Sequence, residues 1–268
     1  LENENVSRTG LDAPWIYENT RYWVTDRVFH FFAVWPYSGE NTSVTNVQSI
    51  APVAGEGAYG YSVTFETPAA ADQELLTAKT SITTKTGEEF PESVGFKFQH
   101  ELTNVNLNIW SNGADENDED KIRVKEVSIR NVTKRATLNT TISGSSWSYS
   151  SEKMVFTKTF VGDEQIVSQA QIIDGKLTPN AESAPGVPFG KEGLLLIPHT
   201  ITNSNPVVVE VIYDLQRPID QEEDLWEQKK LMVVLPESTW PAGKKLTYNL
   251  IISGDRTITE FQLNTVVE

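Results

Sequence analysis

A chain of 268 residues with 38% hydrophobic and 22% charged residues holds enough apolar material for a sizeable core and is too hydrophobic for wholesale disorder. Its net charge of −15, from 37 acidic against 22 basic residues without a basic stripe, argues against a phosphate backbone as a partner, so no nucleic acid is expected. Zero cysteines exclude disulfides, thiolate metal sites and thiol nucleophiles, and no stretch approaches the roughly 20 apolar residues of a transmembrane segment.

The opening residues, "LENENVSRTG", lack the charged and apolar regions of a signal peptide, so a mature or trimmed form is expected. Arg8, followed by small residues, is a basic position of the kind a trypsin-like protease needs. From there the sequence is almost entirely two-residue alternation broken by turn clusters, the pattern of half-buried strands. Strands are predicted at 27–35, 59–65, 74–82, 94–102, 104–110, 122–132 and 136–142. They continue at 153–160, 165–173, 193–200, 205–215, 229–236, 245–253 and 257–267. The spacing and turn chemistry predict an all-β chain of β-sandwiches. "SITTKTGEEFPES" (81–93), with Gly87 and Pro91, is read as the link between an N-terminal domain, 1–90, and a C-terminal domain, 91–268.

Within "VGFKFQHELTNVNLNIW" (94–110), apolar residues hold even positions to Leu102 and odd positions from Val105. A one-residue slip turns side chains to the opposite face, so a bulge or bend is predicted at Thr103 and Asn104. His100 falls in phase with the buried side and is expected to pack as a structural histidine. "TPNAESAPGVPFGKEG" (178–193) is expected to be a long surface loop, and "DQEEDLWEQKK" (220–230) a charged loop with one helical turn. The closing "TITEFQLNTVVE" is strand-like, with Ile258, Phe261, Leu263 and Val266 spaced along it. A strand at a chain end can pair with its own sheet or with another molecule's.

Catalytic patterns are weak. His30, His100 and His199 show neither H-x-H nor H-E-x-x-H spacing, and there is no G-x-S-x-G elbow. "GEGAYG" (55–60) lacks the lysine and helix of a phosphate cradle. In "DENDED" (115–120) the spacing of Asp115, Asn117, Glu119 and Glu126 imitates a calcium loop, but Asp120 stands where the turn requires glycine. A carboxylate-pair glycosidase remains an enzymatic alternative, and seven Trp with eight Tyr make a surface carbohydrate-binding module the other. No catalytic residue, metal ligand or cofactor is assigned.

Three segments, in order, carry a resemblance. "GFKFQHELTNVNLNI", "GLLLIPHTI" and "STWPAGKKLTYNLIIS" resemble motifs of the fimbrillin-like (Mfa-like) proteins, subunits of type V pili of Gram-negative anaerobes, over residues 74 to 265. The resemblance implies two transthyretin-like β-sandwich domains in tandem, export as a lipoprotein precursor, and residence in an outer-membrane fimbrium. It implies that an arginine-specific protease removes a leading segment, opening a groove for a strand from the next subunit. Arg8 fits the cleavage position, and residues 257–267 the donor strand. The partners so implied are other pilus subunits, with a host or bacterial surface ligand. His199 departs from the family's usual glutamine and Leu246 from a frequent tyrosine, and no closing tryptophan follows Glu268.

Overall fold

The computed structural model describes residues 6–7, 9–10, 13, 16–17, 22–36, 43–50, 59–112, 121–160, 171–173, 176–178, 193–216, 226–253 and 258–266. Among these every regular element is a strand. In chain order they are β1 (Val6–Ser7), β2 (Ile16–Tyr17), β3 (Arg27–Trp35), β4 (Val44–Ile50), β5 (Gly60–Glu66), β6 (Leu76–Thr84) and β7 (Gln99–His100). Then come β8 (Thr103–Asn112), β9 (Lys121–Thr133), β10 (Arg135–Thr141), β11 (Ser145–Tyr149), β12 (Lys153–Thr159), β13 (Gln171–Ile173) and β14 (Lys176–Thr178). The last are β15 (Leu194–Leu196), β16 (His199–Ile201), β17 (Val208–Gln216), β18 (Trp226–Val234), β19 (Ser238–Trp240), β20 (Lys245–Ser253) and β21 (Ile258–Val266).

Two hydrophobic cores organise these strands. The first takes Tyr61, Val63 and Phe65 from β5 and Ala136 and Leu138 from β10, with Phe32 and Val34 of β3 packed against them. It lies between the sheet β11-β10-β5-β4 and the sheet β3-β6-β7. The second, larger core fills the space between β12-β9-β17-β18 and β15-β8-β20-β21. There Val105, Leu107 and Ile109 meet Val127, Ile129, Val209, Val211, Tyr248 and Leu250, all essentially buried. Alternation puts these apolar residues on one face of each strand, and their removal from water is the main stabilising term.

The chain passes between the sandwiches repeatedly. Leu102 belongs to the first core and Val105 to the second, so the parity break at Thr103 and Asn104 is where the chain changes cores. β9 ends in the second sandwich and, after Lys134 alone, β10 continues into the first, pairing with β5 through seven residues from Arg135↔Glu66 to Thr141↔Gly60. β11 returns along β10, and Lys134 N donates to the Glu152 carbonyl at 3.0 Å across the double crossing. The hairpin 135–149, which lies beyond residue 90, therefore completes the sheet that β5 begins. Leu195 N likewise donates to the Ala71 carbonyl at 2.7 Å, tying the linker after β5 to β15.

Several expectations need correction. The strand predicted over 94–102 is reduced to Gln99–His100, because residues 94–98 run over the outer face of β3-β6-β7. Phe96 and Phe98 stay 39% and 45% exposed, with the Phe96 ring 6.5 Å from Phe31 on that outer face. His100 is consequently exposed rather than packed into the core. The charged loop expected to 230 gives way at Trp226, where β18 pairs with β17 over its full length. Its Lys229 and Lys230 oppose Tyr213 and Ile212, so ladder pairing against a buried strand overrides a helix-friendly composition. The predicted strand 193–200 is divided at Ile197–Pro198 into β15 and β16. The loop at 179–192 and the acidic run at 115–120 lie outside the described residues.

Candidate functional site

The three segments that carry the resemblance meet where the two sandwiches join. β16 pairs with β19 so that His199 stands opposite Trp240, their ring centroids 5.7 Å apart. Trp240 is fully buried and donates its Nε1–H to the Tyr248 hydroxyl at 2.7 Å, which gives the indole nitrogen the partner that burial demands. The turn that follows brings Gly243 N to the Leu102 carbonyl at 2.8 Å. Gly243 has φ of +66°, and a Cβ there would stand 3.1 Å from the His100 carbonyl oxygen, so both backbone conformation and space select glycine. Thr103 Oγ1 donates to the Pro241 carbonyl at 2.7 Å, pinning the crossing to the same turn.

His199 is a buried, satisfied histidine. Thr133 Oγ1 lies 3.1 Å from Nδ1 and Asn205 Nδ2 lies 3.1 Å from Nε2. The Asn205 amide donates, so Nε2 accepts and the ring proton sits on Nδ1, directed at Thr133. Lys153 Nζ donates to the same Thr133 hydroxyl at 3.3 Å. Burial first, and then the Lys153 charge, push the His199 pKa down to about 4. The ring is neutral at physiological pH and holds the end of β9 against β16.

The other two histidines are elsewhere. His30 Nδ1 lies 2.8 Å from Ser81 Oγ, and His100 Nδ1 lies 2.9 Å from Glu74 Oε2. Among the described residues no group of three or more His, Asp or Glu side chains is placed to hold a metal ion. No described helix is long and apolar enough to cross a membrane.

A charge cluster surrounds the single-residue crossing. Lys134 Nζ lies 3.1 Å from Glu66 Oε1 and 3.5 Å from Glu152 Oε2, while Arg135 Nε donates to Glu66 Oε2 at 3.1 Å. The Arg135 hydrogen bonds, followed by that of Lys134, hold the Glu66 carboxyl below the usual carboxylate range. Beside it opens a cavity of about 360 Å³ lined in part by Ser43, Thr67, Pro68 and Met154, into whose wall is set the buried Thr67 hydroxyl, which has no hydrogen-bond partner among the described residues. Sequence reading missed this cluster because its members come from three distant stretches. The one signal for it was the resumption of alternation at 135 without a turn residue.

Arg8 lies outside the described residues. Directly before it, Val6 and Ser7 form β1, paired with β2, and directly after it Thr9 and Gly10 are exposed. Ile258, Phe261, Leu263 and Val266 all lie on β21, opposite Ile252, Leu250, Tyr248 and Lys245 of β20. β21 thus closes one edge of its own sheet.

A family model described as fimbrillin-like matches residues 1–267. The fold is similar to the crystal structure of a fimbrial protein from Bacteroides vulgatus, with a TM-score of 0.63 at 21% identity, covering 99% of this chain and 84% of that one. A candidate cell adhesion protein from Bacteroides ovatus is more distant, with a TM-score of 0.46 at 12% identity over 94% of this chain and 73% of its own. One from Bacteroides uniformis has a TM-score of 0.44 at 17% identity, covering 97% and 78%. No curated protein sequence matches the chain.

Proposed function

Because the chain belongs to the fimbrillin-like family, we propose that it is a structural subunit of a surface fimbrium, non-enzymatic, which polymerises by strand exchange after cleavage at Arg8. The family match across residues 1–267 carries this reading. Two features of the fold support the exchange step. β3 is an edge strand nine residues long, and Phe32 and Val34, though packed against the first core, are only half-buried there. An edge of that kind offers unpaired backbone donors and acceptors beside apolar positions, which an added strand would satisfy together. At the other end, β21 is an edge strand whose one strand neighbour among the described residues is β20.

In this reading the two sandwiches are the tandem units of the subunit, divided near residue 90 with the hairpin 135–149 lent back to the first. The neighbouring partners are other fimbrial subunits, and the exported, cell-surface location with an outer-membrane lipoprotein precursor follows from the same family. The test is treatment of the purified chain with an arginine-specific protease, followed by electron microscopy. Filaments or ladders of oligomers are expected from the native sequence and not from Arg8→Ala. Failure of the cleaved chain to form higher oligomers under any condition would remove the strand-exchange step.

A further inference from the structure

One row of side chains on the first sandwich serves neither core. The ladders Trp35↔Leu76 and Leu76↔His100 line these three residues across β3, β6 and β7. Their neighbours Val34 and Thr77 turn inward, Val34 against the first core and Thr77 to the buried Glu101, so Trp35, Leu76 and His100 face outward. Two strand spacings separate Trp35 from His100, about 10 Å. Trp35 is 50% exposed and Phe98, next to the row, 45%. Ala78, two residues along β6 from Leu76, is buried on the same face and projects only a methyl group. The result is a shelf on which half-buried Leu76 lies between exposed Trp35 and exposed His100.

The polar end of the shelf is fixed in place. Glu74 Oε1 accepts the Leu75 backbone N–H at 3.0 Å and Glu74 Oε2 accepts from His100 Nδ1 at 2.9 Å. This contact sets the orientation of the ring, and among the described residues its other nitrogen, Nε2, has no partner. An exposed indole and an imidazole oriented by Glu74, about 10 Å apart on a flat face, suit a saccharide. Its C–H face packs on an aromatic ring and its rim hydroxyls donate to fixed acceptors. The length suits two consecutive sugar units lying along the shelf, entered from the side of a chain rather than its end. A net charge of −15 opposes sialylated, uronic or sulfated glycans. The apolar surface is interrupted by the Glu74–His100 pair, which suits a hydroxylated ligand better than a dry protein interface.

We propose that the outer face of β3-β6-β7, at Trp35, Phe98 and His100, is a binding shelf for a neutral saccharide. The test is a neutral-glycan array followed by tryptophan-fluorescence and NMR titration of the full chain, with cellotetraose and N-acetyllactosamine as solution probes and any array hit added to them. Saturable binding is expected to at least one neutral oligosaccharide. It should be lost in Trp35→Ala, weakened at least tenfold in His100→Ala, and unchanged in Met232→Ser, a substitution of an exposed residue on the second sandwich. If Trp35→Ala does not fold, His100→Ala alone decides. Absence of any neutral-glycan binding at millimolar concentration would overturn the proposal, as would binding indifferent to both substitutions. A change in self-association by sedimentation, without glycan binding, would assign the shelf to a second copy of the chain instead.

Discussion

Thr133 Oγ1 and His199 Nδ1 stand 3.1 Å apart at the point where β9 gives way, through Lys134, to the strand of the other sandwich. Both residues are buried, with His199 3% exposed. The imidazole therefore couples a titratable group to the only continuous strand-to-strand crossing in the described chain that a single residue bridges.

Acid should weaken the fold through this group. The folded pKa of about 4 lies below the ordinary value of 6.5, so between these values the unfolded chain binds a proton that the folded chain refuses. Stability present above pH 6.5 is lost as pH falls towards 4, by about 3 kcal/mol at most for this ring. Urea unfolding at pH 7, 5.5 and 4.5 should show a steeper acid loss for the native chain than for His199→Gln, which has no group to titrate. Parallel curves for the two proteins would show that His199 does not govern the acid limb.

Glu101 predicts the opposite slope. It is 7% exposed, accepts from the Thr77 hydroxyl, and burial raises its pKa above 4.5. A raised carboxyl pKa gives stability that is fully present below the unfolded value and is lost as pH rises through the folded one. Glu101→Gln keeps a hydrogen-bonding group without charge. Relative to the native chain, its stability should improve between pH 4.5 and 8, and equal effects at both pH values would contradict the buried-carboxyl account.

Two glycines separate backbone strain from crowding. Gly87 has φ of +84° and open space where a methyl group would stand, whereas Gly243 has φ of +66° and the His100 carbonyl 3.1 Å away. Alanine at Gly87 should cost about 1 kcal/mol from conformation alone. Gly243→Ala should cost more, since the turn must also yield at the meeting point of the sandwiches. Chemical denaturation of both variants measures the difference, and equal costs would mean that the turn gives way freely.

Much of this architecture was legible in the residues. Arg27–Trp35 and Lys245–Ser253 are strands at the limits that alternation predicts, and the parity break at Thr103 and Asn104 marks the passage from one core to the other. Alternation failed where it met a surface it could not foresee. Val94, Phe96 and Phe98 repeat like a core strand, yet Phe96 packs on Phe31 across the outside of a sheet. β11, "SSWSY", escaped notice because Trp147 is its one strongly apolar side chain apart from the terminal Tyr149, and its place is set by pairing with β10. The candidate sites divide in the same way. Arg8 and residues 258–266 are contiguous features that a sequence can display, whereas the nearness of Trp35 to His100 exists only through the ladders of β6.

The strand-exchange account turns on whether β21 must leave β20. Thr247 and Asn264 are Cα partners across these strands, and the chain has no cysteine of its own, so a Thr247→Cys, Asn264→Cys pair can lock the two together cleanly. The decisive measurement is polymer yield by electron microscopy and sizing after arginine-specific cleavage, with the pair oxidised and then reduced. The account predicts monomers when the disulfide is formed and polymers once it is reduced. Equal polymerisation in both states would show that Ile258–Val266 is not the strand passed between subunits.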